Sequence, residues 1–271
     1  MATAVAQQLF SVVGKNVLVT GGSRGIGLMI AKGFTQAGAN VLLTSRDPKA
    51  CEEAATQAGC QHVASNVSTL DGCKGLVKHV SETFNGRLDI LINNAGTSWG
   101  EPVERESKAN WGWDKVLDLN VKGIFYLIRE CTPLLEKSVL DPSDPARIIN
   151  IGSVAGFVPQ EAPTHAYDVS KAAVHHLTKK LARDLAPKRI TVNCVAPGFV
   201  PSRMSAGLGT WGASEDKISS VIPLGRMGNE DDMAGACIYF SSKAGAWCTG
   251  VILNVDGGTV GAMQIPLQSS L

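Results

Sequence analysis

Short apolar runs alternate with helix-like segments along most of the chain. Seven of these runs have the length and the Val, Ile and Leu content of buried strands. They lie at residues 15–20, 40–45, 60–65, 88–93, 147–152, 190–196 and 251–256. Strands that are apolar throughout and separated by amphipathic helices indicate a parallel sheet that is covered on both faces. Because such crossovers are right-handed, the pattern predicts an α/β fold with a doubly wound, mostly parallel seven-stranded sheet and helices on both faces.

The length and composition are those of one globular domain. The chain has 271 residues, of which 44% are hydrophobic and 18% charged, and it contains neither a linker-like tract nor an internal repeat. We expect a flexible N-terminal extension at residues 1–12 and a single domain over residues 13–271. With a formal net charge of +1 and no clustered basic residues, the sequence gives no sign of a nucleic-acid-binding surface.

The cysteines and the hydropathy pattern bear on cellular location. Seven cysteines are scattered without a CxxC pair or zinc-ligand spacing, which indicates a reducing compartment and no metal site. The adjacent His175 and His176 would point in different directions on a helix, so we interpret them as ordinary helix residues. No apolar run approaches the roughly 20 residues of a membrane span. We therefore expect a cytoplasmic protein that does not enter membranes.

The loop after the first strand, TGGSRGIG at residues 20–27, has the composition of a phosphate-binding turn. Gly21, Gly25 and Gly27 would allow a tight turn and a close approach of a pyrophosphate to a helix N-terminus. A glycine-rich turn without a ligand is the alternative. The position of the loop between the first strand and the first helix favours a dinucleotide.

The tip of the second strand indicates which dinucleotide is bound. NAD sites usually carry an acidic residue there, whereas this chain has Ser45 and Arg46, and Asp47 comes only afterwards. Arg24 lies in the glycine loop nearby. Two guanidinium groups and a hydroxyl suit a 2′-phosphate, so the predicted cofactor is NADP(H). The alternative is that both arginines are surface charges.

Polar residues follow further strands, at the sheet edge where ligands bind. Residues 93–96 are NNAG, whose small side chains and amides would pack against the cofactor's ribose, and Ser153 follows the fifth strand. Tyr167 and Lys171 are four residues apart on a predicted helix, so they share one face. A free phenol titrates near ~10, and a neighbouring ammonium lowers that pKa. The pair is therefore either a proton-transfer device or a helix tyrosine with a solvated lysine.

Taken in order, these motifs resemble the short-chain dehydrogenase/reductase family over residues 14–258. The matching motifs are TGxxxGxG, NNAG, a serine followed by YxxxK, and PG. The stretches NNAGTSWG, INIGSVAG and APGFVPSRM are further similar to 3-oxoacyl-[acyl-carrier-protein] reductases of the rhamnolipid-pathway type. The resemblance implies a Rossmann-type domain that forms a homodimer or homotetramer. It also implies an NADP-dependent oxidoreductase that reduces a 3-oxoacyl thioester or a similar hydrophobic ketone to a secondary alcohol.

The same resemblance implies a role for each catalytic residue. Tyr167 would be the general acid, Ser153 would polarise the carbonyl, and Lys171 would lower the pKa of the phenol and hold the nicotinamide ribose. Asn120 would fix a water that links the lysine to solvent. Each of these residues taken alone also has a structural interpretation, such as a turn cap or a solvated side chain. The implied cofactor contacts are Gly21, Ser23, Arg24, Gly25, Ile26, Gly27, Ser45, Arg46, Asn66, Val67, Asn94, Ala95, Gly96, Tyr167, Lys171, Pro197, Gly198, Val200 and Ser202.

The chain departs from the family pattern at three points. Asn66 stands where an aspartate near the adenine is common, and Ser202 replaces a threonine after the PG turn. The catalytic serine and tyrosine are separated by one residue more than usual. None of these differences removes a catalytic group. Residues 199–222 suit either an apolar lid or a surface insertion. The predicted substrate pocket consists of Trp99, Phe157, Val158, Met204, Leu208 and Trp211.

Two other functions are compatible with the motifs. One is a secondary-metabolism or polyol dehydrogenase that works in the oxidative direction. The other is a catalytically silent NADP-binding sensor, which would be expected to have lost the tyrosine or the lysine. The apolar helix at residues 120–135 is either a subunit interface or part of the core.

Overall fold

The computed structural model describes residues 2–104, 111–202 and 214–261. It contains one seven-stranded sheet with the strand order β3-β2-β1-β4-β5-β6-β7, in which each neighbouring pair is parallel. The doubly wound sheet predicted from the apolar runs is thereby confirmed. The strands are β1 (Asn16–Thr20), β2 (Asn40–Ser45), β3 (Gln61–Ala64), β4 (Ile90–Asn93), β5 (Ala146–Ile151), β6 (Ile190–Pro197) and β7 (Ile252–Val255).

Helices cover both faces of the sheet. Short 3-10 turns occur at Val154–Gly156, Ala186–Lys188 and Lys243–Gly245, and a π-helix spans Asp118–Gly123. The α-helices are α1 (Ala2–Phe10), α2 (Gly25–Gln36), α3 (Pro48–Ala58), α4 (Leu70–Thr83), α5 (Trp111–Leu117), α6 (Ile124–Ser138), α7 (His165–Leu185), α8 (Glu215–Val221) and α9 (Glu230–Ser241).

Two hydrophobic cores result, one on each face. In β1, Leu18 belongs to the core beneath α4, α6 and α7, whereas Val17 and Val19 belong to the core beneath α2, α3 and α9. This alternation follows from the two-residue period of a strand. Because both faces are covered, successive strand residues are all apolar, which explains the continuous runs in the sequence.

Helix α6 was predicted to be either an interface or part of the core. Its inner face is buried through Leu127, Cys131 and Leu135. Its outer face carries Phe125, which is 39% exposed, and Arg129, whose guanidinium carbon lies 5.5 Å from the centroid of the Tyr126 ring. The helix therefore contributes to the core while presenting an aromatic group to its surroundings.

The segment that was expected to be a flexible N-terminal extension contains a helix. Residues 2–10 form helix α1, and the side chains of residues 4–10 are exposed. The following Val12 is completely buried in the core beneath α2. The sequence did not indicate α1, because a helix that buries little apolar surface lacks a clear amphipathic period.

Within the described ranges, no helix combines the length and the apolar character that crossing a membrane requires.

Candidate active site

The carboxyl ends of the central strands meet at one edge of the sheet, and Thr20 joins two of them. Its hydroxyl donates to the carbonyl oxygen of Ile92 (3.3 Å) and accepts from the backbone amides of Asn94 and Ala95 (3.0 Å each). The Asn94 side-chain amide donates to the carbonyl oxygens of Thr20 (2.9 Å) and Gly21 (3.2 Å). Asn94, predicted to contact the cofactor's ribose, thus braces the glycine loop, and Thr20 is a site residue that sequence reasoning missed.

The glycine loop leaves an open cradle at the start of α2. Gly21 and Gly25 have φ angles of +64° and +54°, which favour glycine. A Cβ atom on Gly27 would collide with the Gly21 carbonyl oxygen and the Asn94 amide nitrogen. Arg24, the residue preceding α2, forms no side-chain hydrogen bond that caps the helix. The backbone amides in the first turn of α2 can therefore donate hydrogen bonds to a bound anion.

The predicted 2′-phosphate site has two exposed arginines. Neither Arg24 nor Arg46 forms an ion pair with an acidic side chain in the described ranges. Asp47 is engaged as the N-cap of α3, where its carboxylate accepts from two backbone amides at 3.0 and 3.2 Å. The Ser45 hydroxyl lies 3.1 Å from the Cys51 sulfur, so this predicted phosphate ligand already has a protein partner.

Contacts place some of the remaining predicted cofactor residues. Asn66 is exposed, and its side-chain amide oxygen accepts from the hydroxyl of Ser68 at 2.8 Å. A Cβ atom on Gly25 would lie 3.3 Å from the Cβ of Ser202, which places the turn after β6 beside the glycine loop. A Cβ on Gly96 would lie 3.4 Å from the Asn120 amide oxygen. Ser23 and Ile26 are partly buried in the loop, Val67 and Val200 are buried, and Pro197 and Gly198 lead away from β6.

Ser153, Tyr167 and Lys171 converge at the same edge. The Ser153 side chain acts on the phenol of Tyr167, whose pKa it lowers, and its oxygen accepts from the Ala155 amide at 3.1 Å. The Lys171 ammonium lies 5.5 Å from the centroid of the Tyr167 ring and donates to the Ile151 carbonyl oxygen at 2.7 Å. Ser153 thus caps a turn, which agrees with one interpretation of this residue, and its role at a substrate carbonyl stays a prediction.

Burial governs the protonation of the pair. It raises the pKa of Tyr167, against a smaller lowering effect of the Ser153 hydrogen bond. It also lowers the pKa of Lys171 from 10.5 to about 8. Lys171 is not among the groups that shift the pKa of this phenol in the described structure, so the expected lowering by its ammonium is not found. A phenol is already protonated at neutral pH, so the raised pKa leaves Tyr167 in the form that a general acid needs while making it a weaker acid.

Asn120 lies in the π-helix and is almost completely buried. Its amide oxygen accepts from the Thr97 backbone nitrogen, and its amide nitrogen donates to the Thr97 carbonyl oxygen and to Ser170, each at 2.9 Å. Ser170 in turn donates to the Tyr167 carbonyl oxygen at 2.7 Å. The Asn120 side chain therefore ties Thr97 to the helix that carries Tyr167, a role that sequence reasoning did not assign.

Sequence reasoning also missed Ser170, although a signal was present. It stands three residues after Tyr167 and directly before Lys171, and a fully buried serine within a helix needs polar partners. Its link to Asn120 joins residues 50 positions apart, which no local pattern reveals.

Replacing Ser170 by alanine is expected to lower the free energy of unfolding by about 2 kcal/mol, because one amide proton of Asn120 would lose its buried acceptor. The measurement is urea unfolding monitored by circular dichroism. Ser138→Ala is the matched control, since Ser138 is a buried helix serine that donates only to the Leu135 carbonyl oxygen. Equal destabilisation by both substitutions would contradict the bracing role.

Only part of the predicted substrate pocket lies in the described ranges. Trp99 donates through its indole nitrogen to Glu101 at 3.1 Å. Phe157 and Val158 are 44% and 43% exposed, so both offer apolar surface after the Ser153 turn. Met204, Leu208 and Trp211 fall outside the described residues. In the described parts of the chain, no group of three or more His, Cys, Asp or Glu side chains is arranged to hold a metal ion.

Known proteins share this sequence pattern and fold. Residues 21–260 match the family model described as enoyl-(acyl carrier protein) reductase. A rhamnolipids biosynthesis 3-oxoacyl-[acyl-carrier-protein] reductase of Pseudomonas aeruginosa is 43% identical over 253 residues, which are 92% of this chain and 97% of that protein. The short-chain dehydrogenase/reductase PhomF of Diaporthe leptostromiformis is 34% identical over 278 residues, and the alignment covers 94% of this chain and 94% of that protein.

The chain belongs to the short-chain dehydrogenase/reductase family. A solved structure described as the Pseudomonas aeruginosa RhlG/NADP active-site complex has the same fold, with a TM-score of 0.87 and 43% identity over 93% of this chain and 99% of that one. As a short-chain dehydrogenase/reductase, the protein is an oxidoreductase, and the resemblance predicted from its motifs is confirmed.

Proposed function

We propose that this protein is an NADPH-dependent reductase that converts the carbonyl of a 3-oxoacyl thioester, or of a similar hydrophobic ketone, into a secondary alcohol. The observation that carries the proposal is the position of Tyr167, whose ring centroid lies 5.5 Å from the Lys171 ammonium and whose phenol is influenced by Ser153, beside a glycine cradle at the same sheet edge. A proton donor next to a dinucleotide cradle is the arrangement that carbonyl reduction requires.

The residues around the cradle fit NADP(H). Glycines give the pyrophosphate room at the start of α2, where a Cβ on Gly27 would collide with the loop. Arg24 and Arg46 have guanidinium groups available for a 2′-phosphate, and Asp47 is occupied as a helix cap rather than directed at a ribose hydroxyl. The NADP complex of the Pseudomonas aeruginosa protein supports the same choice. The bound cofactor would supply the hydride.

The protein's own groups handle the substrate oxygen and the proton. Ser153 would donate a hydrogen bond to the carbonyl oxygen and so polarise it. Tyr167 would then transfer its proton to the same oxygen as negative charge develops there. Lys171, 5.5 Å from the ring centroid, would stabilise the phenolate that remains until a proton returns from solvent.

Apolar surface near the serine supports a hydrophobic substrate. Phe157 and Val158 follow the Ser153 turn and leave over two-fifths of their surface uncovered. An acyl chain would bury such surface, whereas a polyol would need polar partners in its place. The Pseudomonas aeruginosa relative is named as a 3-oxoacyl-[acyl-carrier-protein] reductase, which supports the thioester as the leading substrate class.

The test is an NADPH-consumption assay across three carbonyl classes. We expect kcat/KM to be highest with 3-oxoacyl thioesters, lower with simple ketoesters and negligible with sugars, and we expect NADH to support little turnover. Preferential turnover of sugars would refute the substrate class. Turnover with NADH alone would refute the cofactor assignment.

Location and assembly follow as further parts of this proposal. The seven cysteines are all free, which supports a reducing, cytoplasmic environment. The exposed Phe125 on α6 supports self-association of the protein as a dimer or tetramer.

A further inference from the structure

His175 is buried directly behind the catalytic residues. It lies one helical turn beyond Lys171 on α7 and is only 5% exposed, whereas its neighbour His176 is exposed. The sequence pattern does not separate the two histidines, which were both expected to be ordinary helix residues, and the structure shows that only His175 is buried. Its Nε2 atom is sealed from solvent and has no hydrogen-bond partner in the described part of the chain.

The imidazole ring lies along the backbone that carries Ser153. A Cβ atom on Gly152, just before the serine, would lie 2.5 Å from Nε2 of the ring. A Cβ on Gly156 would lie 2.5 Å from Cε1 of the same ring. The next residue, Phe157, has its ring centroid 4.5 Å from that of His175. Both ends of the turn therefore rest on one flat ring, and only glycine fits at the two points of contact.

A histidine at this position is unfavourable for stability alone. A buried nitrogen without a partner forfeits its hydration, which an apolar side chain of similar size would avoid. The described groups that influence its charge are Lys171 and Lys179 on its own helix, and Cys194 faces the same point from β6. With burial and two cations acting in the same direction, its pKa is lowered from 6.5 to about 4, and the ring is neutral at physiological pH.

We propose that His175 is a positioning residue whose flat ring supports the backbone from Gly152 to Phe157, so that Ser153 stays against Tyr167 and Phe157 stays at the substrate wall. The inference rests on the proposed function, since it assigns His175 to the same reaction. The ring acts through shape rather than through a hydrogen bond, because its free nitrogen contacts no polar partner in the described residues.

Two substitutions separate positioning from stability. His175→Leu removes the unpartnered nitrogen and the flat ring, so we expect an equal or higher Tm but a roughly tenfold lower kcat with a 3-oxoacyl thioester. His175→Gln keeps a flat polar end, so we expect a lower Tm but a kcat closer to wild type. Neither variant should change the Kd for NADPH. His176→Leu, on the exposed face of the same helix, is the matched control and should resemble wild type throughout.

The measured kcat and Tm values distinguish a positioning role of His175 from a merely structural one. A kcat that follows Tm in both variants would indicate a merely structural role and overturn the proposal, as would a wild-type kcat in His175→Leu. If neither the wild type nor His176→Leu reduces a ketone with NADPH, the proposed function fails.

The pH dependence of Tm tests the burial of the His175 ring without an activity assay. A basic group whose pKa is lowered on folding binds fewer protons in the folded state, so wild-type stability should fall as the pH decreases from 6.5 towards 4. His175→Leu should lose less Tm across that range than His176→Leu. Parallel Tm curves for these two variants would contradict the neutral buried ring on which the proposal depends.

Discussion

Replacing Tyr167 by phenylalanine is expected to lower kcat/KM for ketone reduction by about 10³-fold, within the range typical for loss of a general acid. The substitution removes the phenol hydroxyl, on which Ser153 acts, and leaves the ring beside Lys171 in place. The Kd for NADPH and the Tm should change little. Single-turnover NADPH oxidation with a 3-oxoacyl thioester is the measurement, since it isolates the chemical step.

Tyr126→Phe is the matched control for the loss of a phenol. Tyr126 is partly buried on α6, on a helix that does not carry the catalytic tyrosine, and its substitution should leave kcat/KM within about twofold of wild type. A Tyr167→Phe enzyme that retained wild-type activity would remove Tyr167 from the mechanism. Adding Ser153→Ala to Tyr167→Phe should cause little further loss, because residues that act as a unit are not additive.

The double substitution Arg24→Ala and Arg46→Ala is expected to lower the ratio of kcat/KM with NADPH to that with NADH by about 10²-fold or more. Hydrogen bonds to charged groups contribute about 1.5–3 kcal/mol each. The double variant would lose two such bonds to the 2′-phosphate of NADPH, whereas NADH has no 2′-phosphate and would lose none. Because both side chains are exposed and unpaired with acids in the described ranges, the fold should be unaffected.

Lys49→Ala controls for the general loss of positive charge near this site. Lys49 is at the start of α3, two residues from Asp47, and its side chain is 85% exposed. The loss of the Lys49 side chain should leave the ratio of kcat/KM with NADPH to that with NADH nearly unchanged. An equal fall of activity with NADPH and NADH in the arginine double variant would refute the 2′-phosphate assignment and indicate a structural role for the two arginines.

Much of the fold could be predicted because its signals are local. The runs that became β1 and β4 are short, apolar and bounded by polar residues. Helix α1 and the short helix α8 were missed, since α1 buries little and α8 spans only seven residues. Gly21, Asn94 and Ser153 were equally visible, because each comes just after a strand that ends at the same sheet edge.

By itself, the sequence determined the fold class and the glycine loop. Its motifs, through their resemblance to the family, also indicated which serine, tyrosine and lysine come together. Only the tertiary structure decided what those side chains contact. Asn94 braces Thr20 across 74 residues, Asn120 reaches Ser170 across 50, and His175 is buried while His176 is not. Burial likewise decided the pKa of Tyr167. Periodicity reports which face of an element is apolar, whereas hydrogen-bond partners and desolvation depend on segments that are distant in the chain and meet only in the folded protein.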